Sequence, residues 1–177
     1  MTPSELKHYL LHGGTTNGLA NAVANGAICW FLIKHKGDVT WWGHNNFGGD
    51  LLATAFILPF IVTLIVIPLQ RAKRRKGKLS SPDITALPSY LSWALRMPKN
   101  LWARASLFGL IGTVAIAAPT LLALFLVGTT TFTPMHYAIF KGLWAGLLAA
   151  ILVCPMITLA LVDERLVDEL EQESAPQ

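Results

Sequence analysis

Long apolar runs that contain almost no charge constrain this chain more than any other feature. The clearest runs cover residues 51–69, 105–127 and 138–162, and the last tolerates one charge, Lys141. A helix needs about 20 apolar residues to cross the hydrocarbon core of a bilayer. Buried helices of soluble proteins rarely run this far without a charged residue. The sequence therefore predicts an all-α, polytopic membrane protein.

A weaker run covers residues 15–33, where Asn, Gly and Thr dilute the apolar residues. We expect a span here as well, because a fourth crossing makes the distribution of charged residues consistent. The four predicted transmembrane helices then form two hairpins within a single membrane domain, 1–177. A connector over residues 70–104 joins the hairpins, and a tail over residues 163–177 follows the last span.

The basic residues predict which side of the membrane each segment occupies, because Lys and Arg accumulate in cytoplasmic loops. Three of them, Lys34, Lys36 and Lys141, lie on the predicted outer side. The N-terminus, the connector and the tail hold the other eleven. Both termini are therefore expected in the cytoplasm. We expect the membrane to be the bacterial inner membrane, with the lipid bilayer as the immediate partner.

The segments outside the four spans carry their own helix signals. Thr2, Pro3 and Glu5 form the pattern of a capping box with Pro at the first helical position. We expect a short amphipathic N-terminal helix that ends at the pair Gly13-Gly14, where two glycines interrupt helical propensity. The acidic tail keeps an apolar stripe through Leu170, which predicts a helical tail that needs a packing partner.

The basic cluster Arg71–Lys78 allows two interpretations. It either determines only the topology of the chain, or it also binds anionic lipid through its charge. A role in nucleic-acid binding is not expected, because the formal net charge is only +4 and 53% of the residues are hydrophobic.

Two stripes of residues share the weakest predicted span. Asn17, Asn21 and Asn25 recur every four residues, so all three lie on one face of a helix. A stripe of small residues, which includes Gly14, Gly18 and Gly26, lies beside them. Amide side chains are costly in hydrocarbon without a partner, so the Asn face is expected to look into the protein. It either lines a path for a solute or forms a helix interface, as small-residue stripes do in membranes.

Each of the other three spans contains an interior proline: Pro59, Pro119 and Pro155. Proline leaves a backbone carbonyl unpaired and bends a helix, and broken helices build sites and hinges in transporters. We treat the three prolines as hinge candidates. Prolines also occur in ordinary membrane helices, so a purely structural role is the alternative.

Two ionisable residues, Asp50 and Lys141, lie at the predicted outer ends of spans. Asp50 is explained as the N-cap of the second span, where the helix dipole favours a negative charge. Lys141 is explained as a side chain whose long stem reaches outward to water. The alternative is a functional ion pair or proton site formed by the two.

The sequence shows no nucleophile motif, phosphate-binding loop or dense metal-ligand spacing. We therefore expect no enzyme activity, no metal and no cofactor. The favoured hypothesis is a small permeation or transport unit whose path is lined by Asn residues of the first helix. The alternative is a non-catalytic accessory or scaffold subunit that grips a partner through the same stripes. In either case a homo-oligomer or a membrane partner subunit is expected, because four helices enclose little volume.

Overall fold

The computed structural model of the chain describes residues 1–82 and 96–162. The described part holds four long helices: α1 (Pro3–Ile33), α2 (Phe47–Arg75), α3 (Leu101–Leu126) and α4 (Pro134–Leu161). Two short strands, β1 (Val39–Thr40) and β2 (Thr131–Phe132), lie in the loops that join these helices. The predicted tail helix and the middle of the connector lie outside the described residues.

Helices α2, α3 and α4 are each long and apolar enough to cross a membrane. This finding is consistent with the predicted membrane protein with an all-α fold. The predicted fourth span, the two hairpins and the orientation of the termini are not confirmed. Helix α1 has 31 residues, which is a sufficient length, but it is not among the helices that are both long and apolar enough.

The prediction of a separate N-terminal helix is wrong, because α1 runs without interruption from Pro3 to Ile33. The capping box is present as predicted: Thr2 accepts a hydrogen bond from the backbone of Glu5, whose carboxylate accepts one in return. Gly13 does not end the helix because it packs against α4. A Cβ atom added to Gly13 would lie 2.5 Å from Cδ1 of Ile157. The close helix contact outweighs the cost of about 1 kcal/mol for a glycine inside a helix.

Helix α4 lies at the centre of the bundle, with α1 and α2 packed against it. Its contact with α1 is antiparallel and is made by small residues. A Cβ atom added to Gly146 would lie 2.7 Å from the Cβ of Ala22, and one added to Gly142 would lie 2.8 Å from the carbonyl oxygen of Ala22. Such spacing leaves no room for a larger side chain. The backbones of α1 and α4 therefore approach each other closely.

Helix α3 packs against the other side of α2, again through glycine. A Cβ atom added to Gly109 would lie 2.8 Å from the carbonyl oxygen of Phe56. Further along α3, the segment Gly112–Ala117 has π-helical hydrogen bonding and leads into Pro119. A π-turn accommodates a local interruption of the α-helical pattern. The side chain of Thr120 accepts a hydrogen bond of 3.0 Å from Trp144 of α4, which ties this region to the central helix.

One end of the bundle, here called the strand end, is closed by β1 and β2. The strands are antiparallel, with Val39 opposite Phe132. Four aromatic rings pack behind them, with centroids 4.5 to 6.3 Å apart: Trp41, Phe47, Phe132 and Tyr137. These contacts bring the loop after α1 and the loop after α3 together over the ends of α2 and α4.

At the opposite end of the bundle, where α1 begins and α2 and α4 end, polar contacts connect the helices. Arg74 of α2 donates hydrogen bonds to the carbonyl oxygens of Leu161 and Val162 at the end of α4, over 3.0 and 2.8 Å. A positive charge at a helix C-terminus satisfies otherwise unpaired carbonyls. Tyr9 of α1 donates a hydrogen bond of 2.7 Å to the buried amide of Gln70 on α2.

Candidate functional site

A polar pocket of about 420 Å³ lies at the strand end of the bundle. Its walls come from the end of α1, the loop that follows, the first turns of α2 and the start of α4. The residues that line it with charged, titratable or amide side chains are Cys29, Lys36, His44, Asn45, Asn46, Asp50, Tyr137 and Lys141. We call this space the strand-end pocket.

An ion pair between α2 and α4 forms one wall of the strand-end pocket. The Nζ atom of Lys141 lies 2.6 Å from Oδ1 and 2.7 Å from Oδ2 of Asp50. The hydroxyl of Tyr137 donates a third hydrogen bond to Oδ2, over 2.5 Å. The side chain of Lys141 is only 13% exposed and that of Asp50 is 34% exposed, so the ammonium group is largely withdrawn from water and the carboxylate is partly exposed. The two charges compensate each other, and the carboxylate accepts hydrogen bonds on both oxygens.

The local structure explains how these three side chains meet. Asp50 lies in the first turn of α2, while Tyr137 and Lys141 are four residues apart and therefore share one face of α4. The aromatic ring of Tyr137 is buried against Phe47 and Phe132. Because these rings exclude water from one side, the phenol hydroxyl is held in place towards the carboxylate.

Two structural explanations from the sequence are wrong at this site. Asp50 is not the N-cap of α2, because Asn46 takes that position and accepts a hydrogen bond of 2.8 Å from the backbone of Gly49. The helix begins one turn earlier than predicted, since Phe47 is completely buried in the aromatic cluster. Lys141 does not extend to water, because its ammonium group is held by Asp50.

Asp50 and Lys141 are predicted from the sequence as candidate site residues, whereas Tyr137, which contacts Asp50, is not. The spacing of Tyr137 and Lys141 on one helix face is a signal that was available. Lys36 and the amides of Asn45 and Asn46 were also missed, because they come from a loop whose path depends on the pairing of β1 with β2.

The three Asn residues of α1 lie at partly buried positions. Each Nδ2 atom donates to the carbonyl oxygen four residues earlier: Asn17 to Gly13, Asn21 to Asn17, and Asn25 to Asn21, over 2.9 to 3.0 Å. The Oδ1 atoms receive no hydrogen bond from the described residues. They form a row of acceptors at intervals of about 6 Å, the rise of four helical residues.

The Asn row is in line with the strand-end pocket along α1. Cys29, which lines the pocket, follows Asn25 by four residues, so the two side chains lie on nearly the same face of α1. The small-residue stripe beside the row is occupied by α4. Cβ atoms added to Gly14 and Gly26 would lie 3.2 and 3.3 Å from backbone carbonyl oxygens of α4.

The hinge candidates are distributed through the bundle and do not line the strand-end pocket. Pro59 and Pro155 lie inside α2 and α4, where both are buried. Pro119 follows the π-helical segment of α3. Within residues 1–82 and 96–162, no group of three or more His, Cys, Asp or Glu side chains has the arrangement of a metal site.

Comparison with known proteins gives no assignment for this arrangement. The chain matches no family model, and neither a curated protein nor a solved structure matches it significantly.

Proposed function

We propose that the protein is a small membrane permeation unit, in which a solute enters the strand-end pocket and crosses along the Asn row of α1. The observation that carries this proposal is the Asp50–Lys141 pair in the wall of a polar pocket between two apolar helices. Ionisable groups that are partly withdrawn from water beside apolar helices are costly and often mark a pathway or a binding site.

The proposal requires α1 to cross the membrane beside α4. Its antiparallel contact with α4 supports this, because the contact extends from Gly13 beside Ile157 to Gly26 beside Ala138. A helix that follows a membrane-spanning partner over this length crosses the same thickness of bilayer. With four crossings, the excess of basic residues supports an orientation in which both termini are cytoplasmic and the strand-end pocket is on the outer side.

The chemistry of the Asn row also favours a path over a helix interface. Each amide uses one of its two N–H groups within α1, which leaves the other N–H and the oxygen available to a passing solute. An interface between helices would instead pair both the donor and the acceptor of a buried amide.

The second candidate is an accessory subunit that holds a partner helix. An apolar groove of about 460 Å³ between α1 and α4 favours it, since Leu19, Val23 and Leu143 line a surface suited to another helix. None of the three Asn residues lines the groove. Of the three glycines of the stripe, Gly26 lines it, and all three are already packed against α4. The accessory function therefore leaves the Asn row of α1 without a role.

Thiol labelling tests the proposed path directly. In a protein whose Cys29 and Cys154 are replaced by Ser, Asn21→Cys is exposed to a small, charged, membrane-impermeant thiol reagent in intact membranes. We expect rapid labelling of Asn21→Cys. The matched control is Ala20→Cys, on an exposed face of α1 that would contact lipid, and it should stay unlabelled. Protection of Asn21→Cys equal to that of Ala20→Cys would rule out a water-filled path.

Transport measurements separate the two functions. In proteoliposomes, Asn21→Leu should abolish ion or solute flux while the protein still assembles as the wild type does, with Ala20→Leu as the control for added bulk. Loss of assembly in Asn21→Leu, with flux unaffected in whatever assembles, would instead support the accessory subunit.

A further inference from the structure

The strand-end pocket carries an imbalance of charge that points to the class of solute it accepts. The titratable groups that face it are Cys29 and Lys36 from α1 and the following loop, His44 from the loop before α2, Asp50 from α2, and Tyr137 and Lys141 from α4. Asp50 is the one acidic group among them. Two ammonium groups therefore share a pocket with a single carboxylate.

The same geometry shows what limits binding at Lys141. Its ammonium group is held by both oxygens of Asp50, at 2.6 and 2.7 Å, so an incoming anion must compete with that carboxylate. Lys36, at an exposed position on the rim, is not part of this ion pair. An anion that is attracted by Lys36 can also interact with the ammonium group of Lys141 once Asp50 is no longer charged.

We infer that the strand-end pocket binds a small monovalent anion between Lys36 and Lys141, together with one proton that is taken up by Asp50. This inference rests on the proposed function and deepens it, because it names the solute class and a coupled ion. The pocket volume of about 420 Å³ is sufficient for a halide or a short carboxylate with part of its hydration shell.

The binding step balances in charge and in protons. A proton from the outer solution joins the carboxylate of Asp50, which becomes a neutral carboxylic acid. Lys141 keeps its own proton and transfers its hydrogen bonds from Asp50 to the anion. Tyr137 stays neutral and continues to donate to Oδ2. One proton and one anion enter together, so the net charge of the pocket does not change.

Calorimetric titration of the full-length protein in nanodiscs, with chloride and with acetate, tests this inference. Because one proton is linked to one anion, the affinity should rise as the pH falls from 8 to 5, by at most about tenfold per pH unit. Chloride does not titrate in this range, so a pH-sensitive dye should report uptake of about one proton per bound chloride. An affinity that stays constant over this range, or the absence of binding of both anions at pH 5, would overturn the inference.

Variants identify the groups responsible. Asp50→Asn mimics the protonated acid, so it should bind the anion at least as tightly as the wild type does at pH 5 and should lose the pH dependence. Lys36→Gln should weaken binding about tenfold or more, whereas Lys34→Gln, which removes a lysine outside the pocket, should not. His44→Gln should keep the pH dependence. If His44→Gln abolishes it instead, the proton belongs to His44 and the inference for Asp50 is wrong.

Lys141→Gln should also abolish binding, and thermal unfolding checks that this variant folds. If it does not fold, the variants Asp50→Asn and Lys36→Gln still decide the question. Asp50→Asn keeps a side chain that accepts a hydrogen bond from Lys141, and Lys36→Gln leaves the Asp50–Lys141 ion pair intact. The inference and the proposed function can fail separately. Anion binding without labelling of Asn21→Cys would leave a binding site with no path, and labelling without anion binding would leave a path for another solute.

Discussion

Lys141 on α4 donates hydrogen bonds to both carboxylate oxygens of Asp50 on α2, although 91 positions separate the two residues in sequence. The pair joins the central helix of the bundle to its neighbour at the strand end. It stands beside an aromatic cluster on one side and the polar pocket on the other. The same contact therefore contributes to the stability of the fold and to the chemistry of the pocket.

Removal of one partner should destabilise the protein, because Asp50→Ala leaves the ammonium group of Lys141 withdrawn from water and without its counter-ion. Loss of one member of a buried pair costs about 3 to 5 kcal/mol, and the partial exposure of Asp50 reduces this to about 1 to 3 kcal/mol. The double replacement of Asp50 and Lys141 by Leu should recover most of the loss. Thermal unfolding in one detergent measures both. Equal stability of Asp50→Ala and the wild type would contradict a structural contribution.

A larger side chain in the contact between α1 and α4 should separate these helices. Gly146→Val places new atoms against the backbone of Gly18 and the side chain of Ala22, and we expect a loss of about 1 to 3 kcal/mol from overpacking. Gly37→Val is the control, because a Cβ atom there has no neighbour within 4 Å. Thermal unfolding of both variants, measured without denaturant, compares their losses of stability. A loss that is no greater for Gly146→Val than for Gly37→Val would argue against the close packing.

Arg74 should stabilise the end of α4 beyond any effect of its charge on topology. Arg74→Gln removes two hydrogen bonds to the carbonyl oxygens of Leu161 and Val162, at a cost of about 1 to 2 kcal/mol. Arg75→Gln removes the same charge from an exposed position and should have little effect on unfolding. Hydrogen exchange in the last turn of α4 should increase in the first variant alone. If both variants behave alike, the contribution of Arg74 is only its charge.

The hydrogen bond between Trp144 and Thr120 should be measurable by a double-mutant cycle. Trp144→Phe and Thr120→Val each remove one partner of the contact that links α4 to the region after the π-helical segment. We expect a coupling free energy of about 0.5 to 1.5 kcal/mol from the stabilities of the single and double variants. Additive effects would show that the two residues act independently.

The two interpretations of the basic cluster Arg71–Lys78, topology alone or topology together with binding of anionic lipid, can be separated by experiment. If the cluster binds anionic lipid, the free energy of unfolding should be higher in vesicles with phosphatidylglycerol than in vesicles without it. The double variant Lys76→Gln with Lys78→Gln should reduce this difference by about 1 kcal/mol per charge at low salt. Stabilisation that persists unchanged in high salt would contradict an electrostatic origin.

Local sequence patterns predicted some features of this fold well. The apolar runs predict the positions of α2, α3 and α4, because an apolar segment of this length with at most one charged residue suits a membrane-spanning helix. The capping box at Thr2 and Glu5 is confirmed because all its atoms lie within one helical turn. The end of the first helix at Gly13 and Gly14 was predicted wrongly, since the favourable packing of those glycines on α4 is a contact between distant segments.

The candidate site shows the same division. The sequence by itself determined that Asp50 and Lys141 are ionisable groups at helix ends, and that three Asn residues share one helix face, because composition and helical periodicity are local properties. Only the tertiary structure decided that Asp50 meets Lys141 and Tyr137, and that a loop brings Lys36 to the same pocket. The physical reason is that such contacts depend on which helices pack together. Here that packing follows from small residues on α1 and α4, and from aromatic rings that close the strand end.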